Sequence, residues 1–392
     1  MSLTYPDWPS FSDEEIAAVG NVLRSGKVNY WTGTETREFE KEFAAFAGSR
    51  HAVALANGTL ALELALRVLG VRAGDEVVVT PRTFIASASA AVIQGMIPVF
   101  ADVDPDSGNI TAESIARVLT PRTKAIVLVH IAGWPCDMDP ILALARERGI
   151  KVIEDCAQCH GARYKGRPCG SLGDIAAWSF CQDKIMTTGG EGGMITLNDD
   201  AMWEEAWTYK DHGKSYDAIY RRPAPEGYRW LHEDFGTNWR LTEMQSVLGR
   251  IQLKRMPEWK ALRARNAGIL AQRFGANPFL RVPLPGADFD HAYYKFHVFI
   301  RPEQLKPGWT RDRILSECDV RGIPCRNGVC GEIYMEKAFE KAGLRPKERL
   351  PVARELGETS LMFMVHPTLT EVHMHDLADR MSAVFAEATV GV

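Results

Sequence analysis

The chain has 392 residues, 46% of them hydrophobic and 24% charged, and its 46 basic and 50 acidic side chains leave a net charge of -4. That balance offers no general attraction to nucleic acid or to an anionic membrane surface. The length predicts two domains rather than one simple core. No run of about 18 apolar residues exists for a membrane span. Residues 1–10 lack the basic and apolar segments of a secretory signal, so a cytoplasmic location is expected.

Ser12 and Glu15 have the spacing of a capping box. Ile16, Val19, Val22 and Leu23 then recur at helical spacing, and Gly26 closes that helix. A second helix is predicted over 36–47, with Phe39, Phe43 and Phe46 on one face and Gly48 as its stop. From there the chain alternates. Apolar runs at 52–56, 76–80, 98–101, 125–130, 151–154, 175–179 and 194–197 read as strands, and helical patterns at 60–69, 86–94 and 138–148 lie between several of them. The alternation predicts an α/β fold, with a mainly parallel, helix-covered sheet in a large domain over residues 1–250. A helix is predicted over 242–254; Pro257 should end or kink it, and helical pattern resumes at Glu258. Beyond it the pattern changes. Pro278, Pro283 and Pro285 punctuate a turn-rich segment, a strand is predicted over 294–301, and helices over 311–321 and 371–388. Residues 251–392 therefore read as a smaller α+β domain.

Several residues along this order could carry chemistry. Lys184 follows Trp178-Ser179-Phe180-Cys181-Gln182-Asp183 and precedes Thr187-Thr188-Gly189-Gly190-Glu191-Gly192-Gly193. Asp155 lies upstream, just after the apolar pair Val152-Ile153. An acid at a strand end, then a serine, then a lysine beside a glycine-rich loop is the layout of a pyridoxal 5'-phosphate enzyme. There a lysine is both covalent anchor and proton carrier, and must be neutral to attack a carbonyl. The acid would keep a pyridine nitrogen protonated. Asn57-Gly58-Thr59 joins a predicted strand to a predicted helix, whose free N–H groups suit a phosphate. Each residue also has a plainer reading: a turn capped by Thr59, an acid capping a helix, a strand-end serine, a solvated loop lysine. Of the eight cysteines, Cys156 and Cys159 form a C-x-x-C. No second ligand pair at zinc spacing accompanies it, so these read as buried free thiols and no metal is expected.

The joint order of these residues resembles the DegT/DnrJ/EryC1/StrS sugar aminotransferases, which are fold type I pyridoxal phosphate enzymes. The resemblance runs over nearly the whole chain. It is carried by Asn57-Gly58-Thr59-Leu60-Ala61-Leu62, Thr80-Pro81-Arg82-Thr83-Phe84, Val99-Phe100-Ala101-Asp102-Val103-Asp104, Ile153-Glu154-Asp155-Cys156-Ala157-Gln158, Ser179-Phe180 with Lys184, and Asn238-Trp239-Arg240-Leu241-Thr242. It implies that Gly58, Thr59, Leu60 and Ser179 hold the phosphate and that Phe84 stacks on the ring. It further implies that Asp155 pairs with the ring nitrogen, Gln158 sits near the ring hydroxyl and Lys184 is the Schiff-base lysine. Asn238 would reach the phosphate of the neighbouring subunit, so a homodimer with its active site at the interface is implied. By themselves Phe84, Gln158 and Asn238 read as a core aromatic, a solvated helix residue and a turn residue.

The chain departs from the family pattern at Leu60, at Trp239 and in a glycine loop one residue longer than the commonest form. Cys325-Arg326-Asn327-Gly328 lacks the histidine often found there; Arg326 could contact substrate or be a surface arginine. The implied activity is ping-pong transfer of an amino group, from L-glutamate, to a nucleotide-linked keto sugar. The expected partners are small molecules alone, with no nucleic acid and no membrane. Two alternatives are a cyclitol aminotransferase of the scyllo-inosose type and a pyridoxal phosphate-binding regulator without turnover. The family's sugar dehydratases replace the lysine by histidine, whereas Lys184 is present. No Gly-x-Gly-x-x-Gly follows the early strands, which speaks against a nicotinamide enzyme.

Overall fold

The computed structural model describes residues 3–223 and 226–389. Helix α1 (Asp13–Ser25) begins with the expected capping box between Ser12 and Glu15, and Gly26 ends it at φ 66°. Its buried face differs from the predicted one. Ile16 and Leu23 are exposed, and Glu15 is buried with Val22. Glu15 faces inward because Gln252 and Arg255 of the long helix Glu243–Gly275 each donate to its carboxylate at 2.8 Å. A part-buried ion pair thus docks α1 where an apolar stripe was expected. Helix α2 (Glu35–Ala47) buries Phe39 and Phe43, leaves Phe46 half-buried, and stops at Gly48.

The predicted strands all form. They are β1 (His51–Leu55), β2 (Glu76–Val79), β3 (Ile97–Phe100), β4 (Thr123–Val129) and β5 (Lys151–Asp155), then two short strands, β6 (Arg163–Tyr164) and β7 (Arg167–Pro168), then β8 (Ile175–Ser179) and β9 (Gly193–Leu197). Seven of them make one sheet in the order β1-β9-β8-β5-β4-β2-β3. Strand β9 runs antiparallel to both its neighbours, and the other pairs are parallel. Strands β2, β8 and β9 are buried along their whole length, as expected for a sheet covered on both faces. Helices α3 (Gly58–Val68) and α4 (Ala86–Val92) supply part of that cover.

The topology sets where a site can form. Strands β1, β8, β5 and β2 point the same way, so their carboxyl ends share one edge of the sheet, where ligands of such sheets bind. Leu55 and Ser179 both pair with Gly193, which brings the end of β1 beside the end of β8.

The C-terminal part adds β10 (Leu280–Arg281), β11 (Phe289–Asp290), β12 (Phe296–Ile300), β13 (Cys325–Arg326) and β14 (Ser360–Phe363). An antiparallel sheet β10-β12-β14-β13 packs with helices Arg311–Val320 and Glu371–Ala388, while β11 joins β6 and β7. The long helix runs unbroken from Glu243 through Pro257 to Gly275, so the expected stop does not occur. Proline there costs a backbone hydrogen bond. Packing on both sides outweighs that loss: Met256 and Trp259 lie in a core with β8 and β9, and Ala267, Leu270 and Phe274 in a core with the four-stranded sheet. Residues well beyond 251 also close the large sheet's cores, Ile333, Tyr334 and Phe339 in one and Ala353 and Leu356 in another. No helix among the described residues is long and apolar enough to cross a membrane.

Candidate active site

Asp155 is the last residue of β5, and alternation along the strand turns its side chain opposite to that of Glu154. It is buried, and its two oxygens accept from the Ser87 hydroxyl at 2.7 Å and from the Ala157 N–H at 3.1 Å. Burial raises its pKa above the usual carboxylate value, against the pull of Ser87, Ala157 and the Lys184 charge. Among the described residues it has no ion-pair partner. Thr83 donates to or accepts from Ser87 at 2.8 Å, so the loop after β2 and the start of α4 fix the hydroxyl that fixes the acid. Gln158 lies just beyond. It is buried rather than solvated, and its side-chain carbonyl accepts from the Ala132 N–H at 2.8 Å.

Lys184 sits in the loop between β8 and β9. Its backbone carbonyl is held by the Trp8 indole N–H at 2.8 Å. Its Nζ lies 3.4 Å from the Tyr294 hydroxyl and 3.5 Å from Asp183 Oδ1. The Tyr294 hydroxyl donates to the other Asp183 oxygen, and Lys295 Nζ lies 3.7 Å from it. Burial works to raise the Asp183 pKa, but Lys184, Tyr294 and Lys295 hold it below the usual range, so it stays anionic at neutral pH. Burial, reinforced by Asp183, raises the Tyr294 pKa and keeps its hydroxyl a donor. The lysine amine is therefore aimed by an anion and a phenol.

Asn57 caps α3 by accepting from the Leu60 N–H at 3.0 Å, so the cap is Asn57 and not Thr59. This leaves Gly58 and Thr59 in the first turn, where N–H groups lack intrahelical acceptors. A Cβ on Gly58 would lie 2.7 Å from Ser179 Cβ, closer than side chains approach. Glycine is needed there because the helix start is pressed against the end of β8.

The structure thus brings Gly58 against Ser179 and sets Asp155, Gln158 and Lys184 along the same sheet edge. Phe84 is 69% exposed and is no core aromatic. Asn238 is also exposed, in a backbone bridge with Asp211. Arg326, on β13, is exposed and bound to Asp319 at 2.9 Å. Cys156 and Cys159 are buried free thiols; together with His130 they offer ligand atoms within 4.8 Å of one another. Ser87 and Tyr294 escaped the sequence reading because nothing local marks them. Asp183 did not need to escape it: an acid beside the key lysine was a usable signal.

Pyridoxal 5'-phosphate fits this arrangement. A buried carboxylate with no ion-pair partner among the described residues suits a protonated ring nitrogen, and a tight glycine–serine contact at a helix start suits a phosphate.

A model of the DegT/DnrJ/EryC1/StrS aminotransferase family matches residues 9–382. GDP-perosamine synthase of Caulobacter vibrioides is 38% identical over 355 residues, 90% of each chain. The dTDP-3-amino-3,4,6-trideoxy-alpha-D-glucose transaminase of Streptomyces venezuelae is 34% identical, covering 91% of this chain and 88% of its own. The crystal structure of an aminotransferase from Psychrobacter cryohalolentis superimposes with a TM-score of 0.96 at 58% identity, over 98% of this chain and 99% of that one.

Proposed function

Because the chain belongs to the DegT/DnrJ/EryC1/StrS aminotransferase family, we propose that it moves an amino group from L-glutamate to a nucleotide-linked keto sugar, as a cytoplasmic homodimer. Relatives named for nucleotide-sugar amination support the acceptor class. When bound, pyridoxal phosphate supplies an electron sink for the carbon that exchanges its amine. The chain's own residues do the rest. Asp155 would keep the ring nitrogen protonated, and Gln158 would lie by the ring hydroxyl. Gly58, Thr59 and Leu60, at the start of α3, and Ser179 would hold the phosphate. Phe84, exposed after β2, would cover the ring, and Asn238 would reach the phosphate of the partner site. Lys184 Nζ carries a proton to and from the reacting carbon, and Asp183 and Tyr294 aim it. Arg326 would reach substrate only by leaving Asp319.

The observation that carries this reading is a buried carboxylate with no ion-pair partner among the described residues, on the same sheet edge as a lysine aimed by Asp183 and Tyr294. The test is spectroscopic. The purified protein should show a yellow cofactor band that bleaches on adding L-glutamate and returns on adding a nucleotide-linked keto sugar. Lys184→Ala should slow both steps by on the order of 10²–10⁴-fold, the worth of a positioned acid–base group. A Lys184→Ala protein that turned over at the normal rate would sink the mechanism.

A further inference from the structure

Arg82 lies in the loop between β2 and α4, two residues before Phe84. It is 2% exposed, yet its guanidinium makes no hydrogen bond and no ion pair among the described residues, and its Nε and Nη1 are fully buried without a partner. Burial lowers its pKa to about 10, so it remains a cation at neutral pH. An unpaired buried cation is costly and calls for an anion. The nearby acids are already engaged: Glu332 accepts from Tyr334 and Arg349, and Asp106 accepts from Arg281.

Arg82 borders a cavity of about 30 Å³, lined also by Asp106, Ala132, Tyr293, Lys295 and His297. His297 repeats the pattern. Its Nε2 is buried and has no partner among the described residues. Burial, with Arg82 next, pushes its pKa down to about 3, so it is neutral and can donate one N–H. Two lining residues of the cavity adjoin the site already described. Ala132 bonds Gln158, and Lys295 shares Asp183 with Lys184. Its size matches about two water-sized positions, enough for the two oxygens of a carboxylate and too little for a diphosphate.

We infer that this cavity is a carboxylate subsite, in which Arg82 takes the two oxygens through its planar fork and His297 and Lys295 complete the donor set. The inference rests on the transamination reading for the meaning of the ligand. The carboxylate belongs either to the amino donor or to an acid-bearing acceptor.

The test uses the purified holoenzyme and succinate, a dicarboxylate that cannot donate an amine. Succinate should raise the melting temperature of the wild type in a concentration-dependent way, and Arg82→Gln should abolish that shift. Without ligand, Arg82→Gln should melt no lower than the wild type, because the change removes an unpaired buried charge. Arg82→Lys, which keeps the charge without the fork, should retain part of the shift and serves if the glutamine variant folds poorly. Half-reactions then separate the sources. If the donor supplies the carboxylate, half-bleaching of the cofactor band by L-glutamate should need about 10- to 100-fold more glutamate in Arg82→Gln. If the acceptor supplies it, that curve stays put and the return step slows instead. No succinate shift in the wild type, or an Arg82→Gln protein that melts lower and keeps the shift, overturns the subsite. A wild type that no amino donor bleaches refutes the transamination reading, while the succinate shift still judges the cavity.

Discussion

Asp155 owes its state to its neighbours more than to its place in the sequence. Its pKa is already raised by burial, and the Ser87 hydroxyl is the strongest of the groups pulling it back down. Removing that hydroxyl takes away a stabiliser of the charged form, so the pKa must rise further. The pH profile of glutamate-dependent bleaching reads this directly. Ser87→Ala should move its acid limb to higher pH, and an unmoved limb would mean that Ser87 does not tune the acid. A similar dependence holds at Lys184, whose amine is aimed by Asp183 beside it and by Tyr294, which lies 110 residues away. Local pattern made Lys184 and Asp155 legible as an acid and a lysine beside a glycine-rich loop. It could not show Ser87, which bonds Asp155 across 68 residues, because no spacing rule acts over that distance.

At the scale of elements, the contact between the start of α3 and the end of β8 is the tightest constraint on the site. Both flank Gly193, whose own Cβ would collide with the Asn57 carbonyl. Gly58→Ala would put a methyl 2.7 Å from Ser179 Cβ, so the helix start or the serine must shift. Titration of the apoprotein with pyridoxal phosphate is expected to show weaker binding for this variant. An unchanged affinity would show that this contact plays no part in holding the phosphate. The periodic signal was strong for these elements because strands of the large sheet are apolar on both faces and their helices are stopped by glycines. It was weaker for α1. There the 3.6-residue pattern points to Ile16 and Leu23, while the part-buried pair with Arg255 brings Glu15 inward instead. The local cost of Pro257 predicts a stop, and packing of the helix into two cores overrides that cost.

For the molecule as a whole, the segment before Asn238 has exposed aromatics: Trp230 is 84% and Phe235 93% exposed, with Tyr228 beside Trp230. Exposed apolar groups of this size ask for a partner surface. They support the proposed dimer, in which Asn238 of one chain completes the site of the other. A complementation experiment tests it. Lys184→Ala and Asn238→Ala chains should each be impaired as pure proteins, and refolding them together should restore one competent site per mixed dimer. A mixture no more active than its two components would place each site within a single chain. The proposed division into residues 1–250 and 251–392 would run through the long helix Glu243–Gly275, whose two ends lie in different cores.

The sequence by itself determined the strand–helix alternation, the order of the main sheet's strands along the chain, and the lysine, acid, serine and glycine turn of the candidate site. These follow from rules that act within a few residues, namely side-chain period, capping and backbone freedom. Only the tertiary structure decided that Gly58 meets Ser179, that Tyr294 and Ser87 steer the two charged groups, and that Arg82 and His297 share one small cavity. Those are contacts between segments far apart in the chain, and they exist only because packing the cores brings their elements together.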